Sequence, residues 1–182
     1  MSSTAPTAPP AGAVTEQYPF GAREFRDALG SFATGITVIT TMGSEHPYGM
    51  TANAFSSVSL DPPLVLVCVI KGTEGAETIE KNGVFAVNVL AADQEPISRY
   101  FASKDRPRGW EGFKQISHST ADSGSPIIDG TTCFFDCRLH ASHEAGDHVV
   151  FIGEVMAIGT NADVMPILFH RGKYRYIFEE EG

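Results

Sequence analysis

Residues 50–70 read MTANAFSSVSLDPPLVLVCVI, and the change of character within this stretch directs the interpretation of the whole chain. Its end, LVLVCVI, is apolar on both faces of an extended chain, which predicts a strand buried inside a sheet. The part before it is rich in small hydroxyl and amide side chains, with serines at positions 56, 57 and 59. It forms either a long polar turn that caps its own backbone or a site for a polar ligand.

The ligand alternative rests on the residue types around these serines. An anionic ligand is held best by clustered hydroxyl and backbone N–H donors with little side-chain bulk beside them. Ser56 and Ser57 supply hydroxyls, and Gly49, Ala52 and Ala54 supply the low bulk. Lys71, just after the buried strand, adds a positive charge for a phosphate. Residue types alone leave the two alternatives open.

Further elements are predicted on both sides of this stretch. Helices are expected over residues 20–32, over 73–82 with a stop at Gly83, and after Asp93 as N-cap. Shorter strands are expected at 35–41 and 84–90, long strands in CFFDCRLHASH and HVVFIGEVMAIG, and a last one in KYRYIF. The segment that follows Ser103 is basic and proline-containing, so a mobile loop is expected there, and the function of its residues 104–120 stays undefined.

The expected fold is mainly β with short helices. The pattern gives six or seven strands and three short helices, and most strands follow one another through hairpins, so the sheet is expected to be largely antiparallel. A closed barrel with helices at its ends fits, because closure removes exposed strand edges. The predicted domain spans residues 20–178, between a disordered N-terminal tail, 1–19, and a short C-terminal tail, 179–182.

Composition excludes several function classes. A formal net charge of -9 over 182 residues argues against nucleic acid as a partner. No apolar run reaches the length of a membrane span.

Cys133 and Cys137 are about 13 Å apart on one strand, too far for a disulfide, so free thiols and a cytoplasmic location are expected. With His140 and His143 they alternate between strand faces, so no metal site is expected.

Two further positions stand out. Asn88 lies on the same strand face as Ala86, which predicts a buried amide that needs partners, a bound ligand being one possibility. Gly146 and Asp147 fit the tip of a hairpin, and His148 begins the next strand. Taken by itself, His148 is more typical of a surface histidine than of a functional one.

Five ordered blocks give the chain a resemblance to a known family. TGITVITT, GMTANAFSSVSLDPPLVLVCV, FAVNVLAADQ, HEAGDHVVFIGEV and LFHRGKYR resemble, in this order and spacing, the flavin reductase-like family. Its members are short-chain NAD(P)H:flavin oxidoreductases, the reductase components of two-component flavin-dependent monooxygenases and halogenases. The resemblance runs over residues 20–176 but leaves the loop at 104–120 uncovered. It implies a split β-barrel flavin-binding fold, usually a homodimer with flavin sites near the subunit interface.

The resemblance also implies residue roles. Ser56, Ser57 and Lys71 would hold the flavin phosphate. The flavin ring and ribityl chain would lie along Met50, Thr51, Ala52, Asn53, Cys68 and Asn88. The nicotinamide nucleotide would contact Gly146, Asp147, His148 and Arg171. No side chain is expected to act as acid, base or nucleophile, because hydride passes directly between the cofactors.

The function that the resemblance implies is reduction of free flavin, FAD or FMN, by NADH. Reduced flavin would diffuse to a partner oxygenase or halogenase, in natural-product biosynthesis or aromatic degradation. NADH is expected over NADPH because no tight basic cluster lies near the Gly-Asp-His turn. The alternative is a split-barrel module that keeps a flavin or another cofactor bound without reducing free flavin.

Overall fold

The computed structural model describes residues 18–178 of the chain, which form twelve strands and four short α-helices. The predicted C-terminal tail and all but the last two residues of the predicted N-terminal tail lie outside this range. The helices are α1 (Ala22–Leu29), α2 (Glu74–Asn82), α3 (Glu95–Ala102) and α4 (Gly109–Phe113). The strands are β1 (Thr34–Gly35), β2 (Thr37–Met42), β3 (Pro47–Ala52), β4 (Phe55–Leu60), β5 (Pro63–Ile70), β6 (Val84–Val89), β7 (His118–Thr120), β8 (Pro126–Ile128), β9 (Cys133–Ala145), β10 (His148–Thr160), β11 (Leu168–His170) and β12 (Lys173–Arg175).

Seven of the strands form one antiparallel sheet in the order β3-β2-β6-β9-β10-β5-β4. The predicted strand β5 lies inside this sheet, between β10 and β4. The long hairpin of β9 and β10 turns through Gly146 and Asp147, with Ala145 opposite His148. Gly146 has φ 62°, the positive value that a two-residue turn with glycine at its first position requires. The mainly β, largely antiparallel prediction is therefore confirmed.

The edge strands of the sheet, β3 and β4, follow each other in the chain and are joined only by residues 53–54. The stretch at 50–63 is therefore mostly two strands with a short link, which rules out the alternative of a long polar turn. Within residues 18–178 no ladder pairs β3 with β4, so hydrogen bonds do not close the barrel between them. The barrel is split at this point, next to the end of β5.

Two clusters of buried side chains stabilise the fold. One lies on the main sheet under α2 and includes Ile79, Phe85 and Phe151. The other lies under α3 and α4 and includes Phe101 and Phe113. Apolar burial of this kind stabilises by about 25 cal/mol per Å². Gly153 lets β10 approach the first cluster, because a Cβ there would lie 2.5 Å from the Phe85 ring.

The side chain of Asn88 connects three strands. It is fully buried on β6, and its Nδ2 donates to the Val38 carbonyl at 3.1 Å and to Thr40 Oγ1 at 3.2 Å. Nδ2 also lies 3.4 Å from the Pro126 carbonyl, and Oδ1 accepts from the Ile128 N–H at 2.8 Å. The prediction of a buried amide is confirmed, and protein groups on β2 and β8 satisfy it.

One local prediction was wrong. Asp93 does not cap a helix: it lies inside a 3-10 helix, Ala92–Gln94, and Gln94 Oε1 accepts from the Ala91 N–H instead. The loop expected after Ser103 is present over residues 103–108, and regular structure resumes with α4 and β7. Across residues 18–178, every helix falls short of the length and apolar character that a bilayer span requires.

We expect Asn88→Ala to lower the free energy of unfolding by roughly 2–4 kcal/mol, because it leaves buried N–H and C=O groups without partners. Urea titration followed by circular dichroism measures the change. Asn53→Ala is the matched control: Asn53 is exposed, with one 3.3 Å hydrogen bond to Thr34, so less than about 0.5 kcal/mol is expected. Equal effects of the two substitutions would contradict the structural role of Asn88.

Candidate functional site

A cavity of about 550 Å³ opens where the barrel is split. Residues of β3 and the link at 53–54 form one wall, and the end of β5 forms another. The rest of the lining comes from the start of α2, the end of α3, the segment that follows α3 and the first residue of β10. Its volume falls within the range of small-molecule sites. It is lined by Tyr48, Met50, Thr51, Ala52, Asn53, Ala54, Cys68, Val69, Ile70, Thr73, Glu74, Phe101, Ala102, Lys104, Arg106, Arg108 and His148.

The β3 wall is fixed in place by packing and by one hydrogen bond. Gly75 of α2 approaches the Met50 side chain so closely that a Cβ would lie 2.5 Å from its sulfur. Thr51 Oγ1 donates to the carbonyl of buried Ser98 at 2.7 Å. Because a hydroxyl has one hydrogen, Thr51 can offer a ligand only its acceptor capacity. This wall therefore suits a ligand with an N–H or O–H donor.

The β5 wall ends beside the β9–β10 hairpin. His148 pairs in register with Ile70, which brings the Gly-Asp-His turn to the cavity. His148 Nδ1 lies 2.7 Å from the Asp147 carboxylate. This hydrogen bond, and then the charge of His148, lowers the pKa of the exposed Asp147 side chain. Held by Asp147, the imidazole presents its other edge to a ligand.

Cys68 gives the β5 wall a half-buried thiol. Burial raises the pKa of this thiol, so it stays protonated at neutral pH. Burial, and to a lesser degree the charge of Asp136, raises the pKa of Cys137 to about 12. Cys68 therefore contributes a small, neutral surface to the cavity and no nucleophile.

Charge is distributed unevenly over the lining. Lys104, Arg106 and Arg108 give it three cationic side chains against the single carboxylate of Glu74. The chain as a whole carries a net charge of -9, so this positive cluster is local. A mostly apolar cavity with a cationic side suits a flat aromatic molecule with an anionic tail.

The structure brings some of the predicted site residues together and leaves others apart. Met50, Thr51, Ala52, Asn53, Cys68 and His148 all line the cavity, with Gly146 and Asp147 adjacent at the hairpin tip. Ser56, Ser57, Lys71, Asn88 and Arg171 are not among the lining residues. The exposed Ser56 hydroxyl bonds the Ser57 carbonyl, and Lys71 Nζ contacts the Glu144 carboxylate at 2.5 Å. The Arg171 N–H donates to the Gly30 carbonyl, and Asn88 is satisfied inside the barrel.

Tyr48, Thr73, Glu74 and Phe101 line the cavity without having been predicted. Tyr48 is recoverable from the sequence, because strand alternation places it on the same face as Met50 and Ala52. Thr73 is the N-cap of α2, and Ala76 N–H donates to its hydroxyl at 3.4 Å. No pattern in the sequence marks Phe101, because its place depends on how α3 packs.

One family model and several known proteins match this chain. A family model described as flavin reductase like domain matches residues 29–177. The reductase subunit HsaB of a flavin-dependent monooxygenase from Rhodococcus jostii is 40% identical over 152 residues, which are 84% of this chain and 76% of that protein. The FMN reductase (NADH) SmoA from Agrobacterium fabrum is 41% identical over 152 residues, 84% of each.

The similarity extends to three dimensions. The solved structure of the NADH:FAD oxidoreductase SgcE6 from Streptomyces globisporus C-1027 superposes with a TM-score of 0.83 at 40% identity. The match covers 94% of this chain and 100% of that one. The sequence and the fold therefore lead to the same family.

We expect FMN to slow alkylation of Cys68 by iodoacetamide while leaving Cys133 unaffected. Burial raises the pKa of both thiols, so both react slowly at neutral pH and faster as the pH rises. Only Cys68 lines the cavity among the three cysteines. Mass spectrometry of digested protein measures the two rates, and equal protection of both thiols would contradict binding in this cavity.

Proposed function

Because this chain belongs to the flavin reductase-like family, we propose that it catalyses NADH-dependent reduction of free FAD or FMN. Reduced flavin then diffuses to a partner monooxygenase or halogenase. The observation that carries this proposal is the cavity at the split of the barrel, which combines small and apolar walls with a cationic side.

The residues present fit a flavin. Ala52 and Ala54 leave room for a flat ring against the β3 wall, and Met50, Val69 and Phe101 give it apolar contacts. Thr51 offers an acceptor to a ring N–H or a ribityl hydroxyl. The cationic side chains at positions 104, 106 and 108 give the cavity a positive side that supports binding of a phosphate.

The two nucleotides, when bound, supply the chemistry, which is transfer of hydride from the nicotinamide to the flavin ring. The chain would bind the two rings and orient them against each other, so that proximity lowers the barrier. His148 and the hairpin tip hold the nicotinamide nucleotide beside the end of β5. The apolar walls exclude water. No residue has to move a proton at this step, because hydride passes directly between the two nucleotides.

Several predicted ligand contacts lie outside the cavity lining. Gly146 and Asp147 position His148 for the nicotinamide nucleotide. Ser56, Ser57, Lys71 and Arg171 remain predicted contacts, supported by the resemblance of their sequence blocks alone. Asn88 acts at a distance, by fixing β6 against β2 and β8.

We further propose that the protein is a cytoplasmic homodimer. Large apolar side chains are exposed on the single chain, among them Phe32 at 77%, Leu60 at 96% and Ile158 at 64%. Monomeric proteins rarely leave many such side chains in water, which supports burial by a second subunit. All three cysteines are free thiols, which supports a reducing compartment.

The direct test is an assay with purified protein, NADH and added FMN or FAD. We expect NADH absorbance to fall over many turnovers, with a rate that saturates as free flavin is raised. The protein should purify partly or wholly colourless, since micromolar affinity corresponds to only about -8 kcal/mol. NADPH should give a lower kcat/KM than NADH, because the carboxylates of Glu144 and Asp147 lie at or beside the hairpin tip and repel another phosphate.

Two results of this assay would contradict the proposal. No NADH oxidation at any flavin concentration would favour a module that binds a cofactor without reducing free flavin. Many turnovers without added flavin, from protein that stays yellow through dialysis, would favour a tightly held flavin instead.

We expect His148→Ala to raise the KM for NADH roughly 2- to 10-fold, or to lower kcat, because one hydrogen bond to the nicotinamide nucleotide is lost. The FMN dissociation constant should change little. His143→Ala removes an exposed histidine from the neighbouring strand and serves as the control. Steady-state kinetics of both variants measure the effect, and unchanged kinetics for His148→Ala would remove it from the site.

A further inference from the structure

The three cationic side chains of the cavity are not equivalent. The Arg106 guanidinium donates to the Ser103 carbonyl at 2.5 Å and to the Gly49 carbonyl. It also lies over the Tyr48 ring, 5.4 Å from the centroid. These contacts tie the segment after α3 to β3, so Arg106 is a fixed part of the wall. Arg108 also lies over the Tyr48 ring, 5.9 Å from the centroid, but Arg106 differs from it in donating to two backbone carbonyls. Lys104 and Arg108 are therefore the cations that can turn to a ligand.

Arg108 is already held by a carboxylate. Its Nε lies 3.2 Å from Glu74 Oε2, and both residues line the cavity. The two side chains are 46% and 49% exposed. Ion pairs this exposed stabilise proteins little, so an incoming anion can separate them easily. A phosphate carries up to two negative charges and offers more acceptor oxygens than a carboxylate, and is the stronger partner for a guanidinium.

We propose that Glu74 competes with the phosphate group of the bound nucleotide for the Arg108 guanidinium. Glu74 occupies the Arg108 guanidinium in the ligand-free protein, and the phosphate displaces it on entry. This inference rests on the proposed function. It assigns the phosphate contact to Arg108 rather than to Lys71, whose ammonium group is paired with Glu144 and does not line the cavity.

The exchange gives the site a means of releasing its ligand. When the phosphate leaves, Glu74 returns to Arg108, so the cation is never left without a counter-ion. The competing carboxylate lowers the affinity for the nucleotide and speeds its release. Weak holding suits a protein whose reduced flavin must leave for another enzyme.

Titration with FMN and riboflavin isolates the phosphate, since the two flavins differ only in that group. For Glu74→Gln we expect the FMN dissociation constant to fall about 2- to 5-fold. For Arg108→Gln we expect it to rise about 5-fold or more. Riboflavin binding should stay the same in both. Glu77→Gln removes an equal charge from the exposed side of α2 and should change neither flavin.

The double variant separates competition from simple repulsion. If Glu74 acts by occupying Arg108, most of the gain from Glu74→Gln disappears once Arg108 is glutamine. A gain that persists in full would mean general charge repulsion and would overturn the inference. A loss selective for FMN in Lys71→Ala, with none in Arg108→Gln, would overturn it as well.

The phosphate that meets Arg108 belongs either to the flavin or to the nicotinamide nucleotide, and the KM for NADH with riboflavin as acceptor distinguishes them. A change confined to FMN binding identifies the flavin phosphate, and a change confined to this KM identifies the nicotinamide nucleotide. Either result supports the exchange. If neither the FMN dissociation constant nor the KM for NADH changes, the inference is overturned. If the unaltered protein neither binds flavin nor oxidises NADH, the proposed function itself fails, and the inference fails with it.

Discussion

The fold depends on how one buried amide is satisfied. Asn88 lies where strand β6 runs between β2 and β9, and its side chain bonds groups of β2 and β8. A buried amide without hydrogen-bond partners would lower the free energy of unfolding, because its desolvation would not be compensated. Two of the hydrogen-bond partners of Asn88, Pro126 and Ile128, belong to β8, so satisfying the amide also fixes β8 against the barrel. The side chain of Asn88 thus joins β6 to β2 and β8.

The cavity follows from where the barrel fails to close. Strands β3 and β4 are consecutive, and the two-residue link between them leaves the end of β5 uncovered. The sequence places small side chains at this link and a cationic segment opposite it. A protein that is acidic overall thus has a locally positive site, which is what an anionic nucleotide requires.

The longer strands were predictable, because LVLVCVI and the two long β9–β10 segments have unambiguous apolar patterns. The six or seven predicted strands fell short of the twelve observed, and the order β3-β2-β6-β9-β10-β5-β4 has no signal in the local pattern. The position of His148 was predictable as well, since a Gly-Asp turn fixes the register of the hairpin. The ion pair between Lys71 and Glu144 shows the limit of sequence reasoning, because the two residues lie 73 positions apart in the chain. Pairing between distant residues leaves no local pattern.

The central claim is that a flavin binds in the cavity at the split of the barrel. A crystal structure of the protein grown with FMN tests it most directly. We predict electron density for the ring inside this cavity, against Ala52, Cys68 and Ile70. Density for the flavin at any other place on the protein, with this cavity filled only by water, would contradict it.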